Sequence, residues 1–211
     1  QRWSSLMAIS TYAELQSSIG DWLNRDDLTN VIPDFITLAE AQFNRSVRHR
    51  KMVTRATATI SSRYSATPGD WLQTIQLHLQ TDPIQPLEYV TEETMNEQRA
   101  KSSAGGRPTR FTMVGTEYEV NPGPDDNYIA EVVYYAKVPP LSTSNTTNWM
   151  LELSPDIYLY GALIQSAPYL KDDERLAVWA SIYQKLIEDM NVSDERSRGQ
   201  VSMRMAFQPL Q

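Results

Sequence analysis

An α+β fold is predicted: a helical core formed by the N-terminal and C-terminal helices, with a small β subdomain inserted between them. Three observations predict it. Apolar residues recur at helical spacing near both ends of the chain. In the middle the period is two, with many β-branched residues. Helices and strands are segregated along the sequence, which points to α+β rather than α/β. The two helical ends each carry an apolar face to bury, and packing on each other covers both. The organisation that follows is 1–6, an extension outside the fold argument; 7–51, the first helical part; 52–140, the inserted β-rich subdomain; 141–191, the second helical part; and 192–211, a C-terminal arm.

Thr11 and Glu14 have capping-box spacing. Leu15, Ile19, Trp22 and Leu23 then fall on one face, predicting a helix over 12–23. Asn30 is placed to cap a second helix, with Pro33 in its first turn. Ile32, Phe35, Ile36, Ala39, Phe43 and Val47 give it a continuous stripe over 31–50. After Lys51 the period changes. Met52, Thr54, Ala56, Ala58 and Ile60 alternate with more polar neighbours, and Ile75, Leu77 and Leu79 alternate with Gln76, His78 and Gln80. Both read as half-buried strands, separated by a turn at Pro68-Gly69-Asp70. A short strand is expected over 87–90, and a polar surface helix capped by Thr91 over 91–99. Residues 102–108 (SSAGGRP) are linker-like, and Gly115 sits between two halves of a hairpin. The clearest strand is 128–138, with Ala130, Val132, Tyr134 and Ala136 on one face; Pro139 and Pro140 end it. About six strands and one small helix are expected in all.

The stretch 145–190 is the most aromatic and the most helical. Ser154 and Pro155 mark a helix start, through a side-chain cap and a proline in the first turn. No charge occurs from Ile157 to Ile164, so this helix needs cover on nearly all sides. Pro168 stops it. An amphipathic helix then starts near Asp172 and Asp173, with Leu176, Trp179, Ile182, Tyr183, Leu186 and Met190 inward. Beyond it, Val201, Met203, Met205 and Phe207 alternate with polar residues. That is the pattern of a segment adding as a strand or binding extended on a partner, or of a frayed end.

Composition narrows the function. The 211 residues can bury a core without staples. A net charge of −7 and a pI near 4.9 argue against a general nucleic-acid binder. With no cysteine, disulfides and thiolate metal sites are excluded, which suits a reducing cytosol or a particle assembled there. No apolar run is long enough to predict a membrane-spanning helix. QRWSSL before Met7 lacks the apolar core of a signal peptide and reads as an upstream-start extension or an added remnant.

No catalytic, cofactor-binding or metal-binding residue is predicted. His49 and His78 belong to no spaced ligand set and read as surface histidines. The pairs Asp26-Asp27, Glu92-Glu93, Asp125-Asp126 and Asp172-Asp173 lie at helix starts or in loops, where dipoles and water account for them. Phosphate-loop and nucleophile-elbow motifs are absent. The basic cluster Arg45, Arg48, His49, Arg50, Lys51 and Arg55 has two readings. Arg45, Arg48, Arg50 and Lys51 could face phosphate, or the cluster could neutralise a helix C-terminus.

The opening MAISTYAELQSSIGDWLNRDDLTNVIPDFITLAEAQFNRSVRHRKM resembles the start of adaptor proteins from the head-to-tail connector of tailed bacteriophages. NTTNWMLELSPDIYLYGALIQSAPYLKDDERLAVWASIYQKLIEDM resembles the C-terminal signature of the same family, and TRATATI, PGDWLQ and VVYYAKVPPLS fall between in the expected order. The resemblance covers about residues 7–198. It implies a structural virion protein without catalysis or cofactor: a ring of twelve copies below the portal protein, extending the DNA channel and docking tail or stopper proteins. It implies assembly in the host cytoplasm and residence at the head–tail junction, with genomic DNA passing unread. The C-terminal arm (Val201, Met203, Met205, Phe207) is expected to reach the portal or a neighbouring subunit. The alternatives are a tail-terminator or stopper ring, or a DNA-binding module using 45–55.

Overall fold

The computed structural model describes residues 9–170 and 174–205, apart from the side chains at 26 and 197–205. In chain order it holds α1 (Tyr12–Leu23), α2 (Ile32–Ser46), β1 (Val53–Ile60), β2 (Tyr64–Ala66), β3 (Trp71–Leu79), β4 (Gln85–Pro86) and β5 (Glu88–Tyr89). There follow α3 (Glu92–Lys101), β6 (Arg110–Val114), β7 (Glu117–Asn121), β8 (Tyr128–Ala136), α4 (Trp149–Leu153), α5 (Pro155–Gln165) and α6 (Arg175–Met205). These form two compact units. One is helical and takes the chain up to Lys51 and again from Val138; the other is Met52–Lys137. The fold is mixed α+β, with N- and C-terminal helices packed together and two four-stranded sheets inserted between them.

In the helical unit, α1 begins with the capping box its spacing predicts. The Thr11 hydroxyl accepts from the Glu14 N–H at 3.3 Å, and the Glu14 carboxylate accepts from the Thr11 N–H at 3.0 Å. Leu15, Ile19 and Leu23 are buried, whereas Trp22 is 44% exposed, its ring edge-on to Tyr160. The helix stops where Asn24 turns left-handed, with φ 52°. α2 buries Ile32, Phe35, Ile36, Ala39 and Phe43. It starts after Val31 rather than Asn30 and ends at Ser46, four residues before the predicted limit. Val47 is extended, and the Arg48 guanidinium donates to the carbonyls of Asn44 and Val47. That contact closes the helix end and stops its propagation.

α5 has no exposed residue, as its uncharged sequence requires. It packs against α1, α2 and α6. Gly161 makes the α2 approach possible: a Cβ there would meet the Phe43 ring at 3.0 Å and the Ala39 Cβ at 3.3 Å. Ser154 precedes Pro155 but makes no side-chain cap. The capping falls one element earlier, where Asn148 holds α4, a helix the apolar pattern did not separate. Asp172 and Asp173 lie outside the described residues. α6 runs from Arg175 well past Met190 to Met205, so the backbone of 192–205 is helical rather than extended. The reason is a buried stripe of Trp179, Tyr183, Ile187, Met190 and Asp194, whose helical period carries one turn beyond Met190.

In the other unit the sheet orders are β1-β8-β3-β4 and β2-β7-β6-β5. Every pair is antiparallel except β5 with β6. Leu77, Leu79, Ala130 and Val132 from the first sheet share a core with Phe111 and Val120 from the second. The Thr74 hydroxyl lies 2.8 Å from the Tyr118 hydroxyl. Gly115 turns the β6–β7 hairpin at φ 63°, a conformation that favours glycine. α3 has Thr91 as its cap and buries Met95. The eight strands exceed the six expected. β2 is three residues long, too short to show a period, and β4 at Gln85–Pro86 precedes the predicted strand at 87–90, which is present as β5.

Candidate functional site

The helical unit is joined by a buried polar hub. Glu40, on the apolar face of α2 and only 5% exposed, accepts the Leu141 N–H at 2.7 Å and the Tyr158 O–H at 3.1 Å. Asn148 donates to the Tyr158 oxygen at 2.6 Å and to the Pro139 carbonyl at 2.7 Å. Its Oδ1 accepts the Met150 and Leu151 N–H groups that open α4. Asn44 accepts the Val138 N–H at 2.9 Å. Burial pushes the Glu40 carboxyl above the usual carboxylate range, against the pull of its two hydrogen bonds. Burial and the neighbouring Glu40 push the Tyr158 hydroxyl well up. These contacts fix how the returning chain from 138 onward lies on α2.

A second cluster sits past the C-terminal end of α2. His49 is 7% exposed, not a surface histidine: its ring stacks on Trp149, with centroids 5.4 Å apart. Its Nε2 is 3.6 Å from Asp194 Oδ1, which also accepts the Arg50 backbone N–H at 3.2 Å. The Arg50 Nε lies 3.8 Å from the same oxygen. Asp194, on α6 and 3% exposed, is thereby clasped by the segment that follows α2. Alongside runs a groove of about 300 Å³ lined by His49, Lys51, Leu153, Ile157, Leu186 and Met190, among others. Leu153 is 47% exposed at its rim.

The four cations proposed to face phosphate are therefore divided. Arg48 closes the α2 end, and Arg50 lies against Asp194. Arg45, Arg50 and Lys51 are exposed. Of the tail residues, Val201, Met203 and Met205 lie on helical backbone, and Phe207 is outside the described residues. A helix turns 100° per residue, so alternate positions do not share a face there. Among the described residues the acidic pairs form no site. Asp27 pairs with Arg25 at 2.5 Å, Glu92 and Glu93 sit in the first turn of α3, and Asp125 accepts the Tyr128 O–H. Among the described residues no group of three or more His, Asp or Glu could hold a metal, and no helix is long and apolar enough to cross a membrane.

Two residues that matter most here were missed from sequence, although each left a signal. Glu40 falls within the apolar stripe of α2, one position after Ala39 and three before Phe43. Asp194 falls four positions after Met190, in phase with Trp179, Tyr183 and Ile187. A charge in phase with an apolar stripe marks a buried, partnered charge.

A split helical core tied by buried polar contacts, with a long last helix running to Met205, is the build of a structural scaffold. The particular scaffold is given by comparison: the SU10 adaptor protein model matches residues 10–206, and the chain belongs to that family of phage head–tail adaptors. The family is one of structural adaptors, not of enzymes. No curated protein matches the chain.

Proposed function

We propose that the chain joins the phage head to its tail as a ring-forming adaptor. Copies, twelve as the resemblance implies, sit beneath the portal protein, prolong the DNA channel and offer a surface to tail or stopper proteins. The observation that carries this reading is the family match across residues 10–206. It runs through both halves of the helical core, the whole β unit and α6 to its last turn.

The long helix supports it. Among the described side chains Asp194 is its last buried position, Glu195 and Arg196 are exposed, and the backbone stays helical to Met205. A helix of this length has surface to commit to another chain. We place the contact with the portal or a neighbouring subunit on 192–211, with Val201, Met203, Met205 and Phe207 as its apolar members. Genomic DNA passes without sequence-specific binding. The engagement of Arg48 on the carbonyls that end α2, and the placing of Arg50 beside the Asp194 carboxylate, weigh against the DNA-binding module, since each guanidinium already has an acceptor within the fold. The virion head–tail junction is the site of action, with assembly in the host cytoplasm.

Native mass measurement of the purified chain, with and without portal protein, tests this. The expected result is a small species alone and a ring bound to portal when both are present. A chain whose mass is indifferent to portal overturns the reading.

A further inference from the structure

Of the four strands that end a sheet, three are blunt. β2 has three residues and β4 and β5 have two each, and β4 ends in Pro86. β1 is different. It is eight residues long, pairs with β8 at all eight positions without a bulge, and contains neither Pro nor Lys. Among the described residues no strand pairs with its other edge. Edges of this length are ordinarily shortened, bulged, charged or covered, because their unpaired N–H and C=O groups template a further strand. Beside this edge is a groove of about 250 Å³, lined by Ala56 and Ala58 of β1, Ser65 and Ala66 of β2, and Leu77 and Val132 among others. Small residues along the groove leave room for side chains arriving at two-residue spacing.

We propose that β1 is a strand acceptor. An extended segment of another virion protein adds to its free edge, places apolar side chains at alternate positions into this groove, and carries a neutral or acidic residue beside Arg55. Backbone chemistry sets the class of partner, since only an extended strand satisfies a row of edge amides and carbonyls together. Charge sets the rest. The Arg55 side chain is 75% exposed, with its Nε 3.9 Å from Glu131. A second copy of β1 is a poor occupant. In the register that keeps the alanine faces together, two Arg55 cations share one face; shifted by one residue, the incoming Arg55 enters the apolar groove. That the partner is a virion protein rests on the adaptor reading above.

Hydrogen–deuterium exchange of the full chain, free and within purified virion connectors, tests the proposal. Peptides covering Val53–Ile60 should exchange about tenfold slower or more in the connector, while β4 and β5 are unchanged. If the chain is present in the connector digest and β1 exchanges as in the free chain, the proposal is overturned. If the chain's peptides are missing from the digest, the adaptor reading falls, and this partner with it. Protection that grows with concentration in the chain alone means β1 pairs with itself and also overturns the proposal. Ala58 is exposed, so Ala58→Trp should leave the circular dichroism spectrum unchanged, fill the groove and abolish the connector-dependent protection. Protection retained in a folded Ala58→Trp variant overturns the seating in the groove.

Discussion

Glu40 shows how one side chain can join two parts of a chain a hundred residues apart. Its carboxyl receives the Leu141 N–H and the Tyr158 O–H in a buried setting, and burial raises its proton affinity above that in the unfolded chain. A carboxyl with a raised folded pKa contributes most stability below its unfolded pKa, about pH 4.3, and loses it as pH rises through the folded value. Glu40→Gln keeps an acceptor oxygen and removes that loss. It should therefore be more stable than the parent at pH 7 in urea unfolding, with the advantage gone near about pH 4. Glu40→Ala should cost about 2 kcal/mol at either pH, because it strands buried donors. Equal stability of the Gln variant and the parent across this range would remove the linkage.

At the scale of an element, α6 is the informative one. Its 31 residues span about 46 Å at 1.5 Å per residue. It is held near its start by Arg175, whose guanidinium lies 5.0 Å over the Trp179 ring and donates to the Trp22 carbonyl at 3.2 Å. It is held farther along by Asp194 against His49 and Arg50. Asp194→Ala leaves the Arg50 N–H without this acceptor and removes the clasp, so it should cost about 2 kcal/mol. The amides from 187 onward should exchange faster while those of α5 keep their protection. Uniform loss across both helices would mean that Asp194 supports the whole core rather than one end of α6.

For the whole molecule, the adaptor reading sets the division of labour. It gives 202–211 to the portal contact, so removing 202–211 should leave the folded chain intact by circular dichroism and thermal unfolding. Under the adaptor reading the same deletion weakens attachment to the portal by at least about tenfold, a loss of about 1.4 kcal/mol. Attachment at full strength by the truncated chain would remove the role given to Met203, Met205 and Phe207.

Local chemistry by itself determined much of this protein. The capping box at Thr11, the turn at Gly115, the Thr91 cap and the alternation along β8 are set within a few residues, so they are legible before any fold is known. The uncharged run at 157–164 likewise announced a covered helix, and the apolar faces at both ends announced a split helical core. Tertiary structure decided the rest. Whether α2 continued past Ser46 depended on Arg48 folding back onto its end, and whether α6 stopped at Met190 depended on a partner for Asp194. His49 lost its place at the surface because Trp149, a hundred residues later, stacks on it. The free edge of β1 could not be read either, since a strand's own pattern says which face is buried and not which neighbour is missing. These outcomes turn on contacts between residues far apart in the chain, whose energies appear only once the chain has closed on itself.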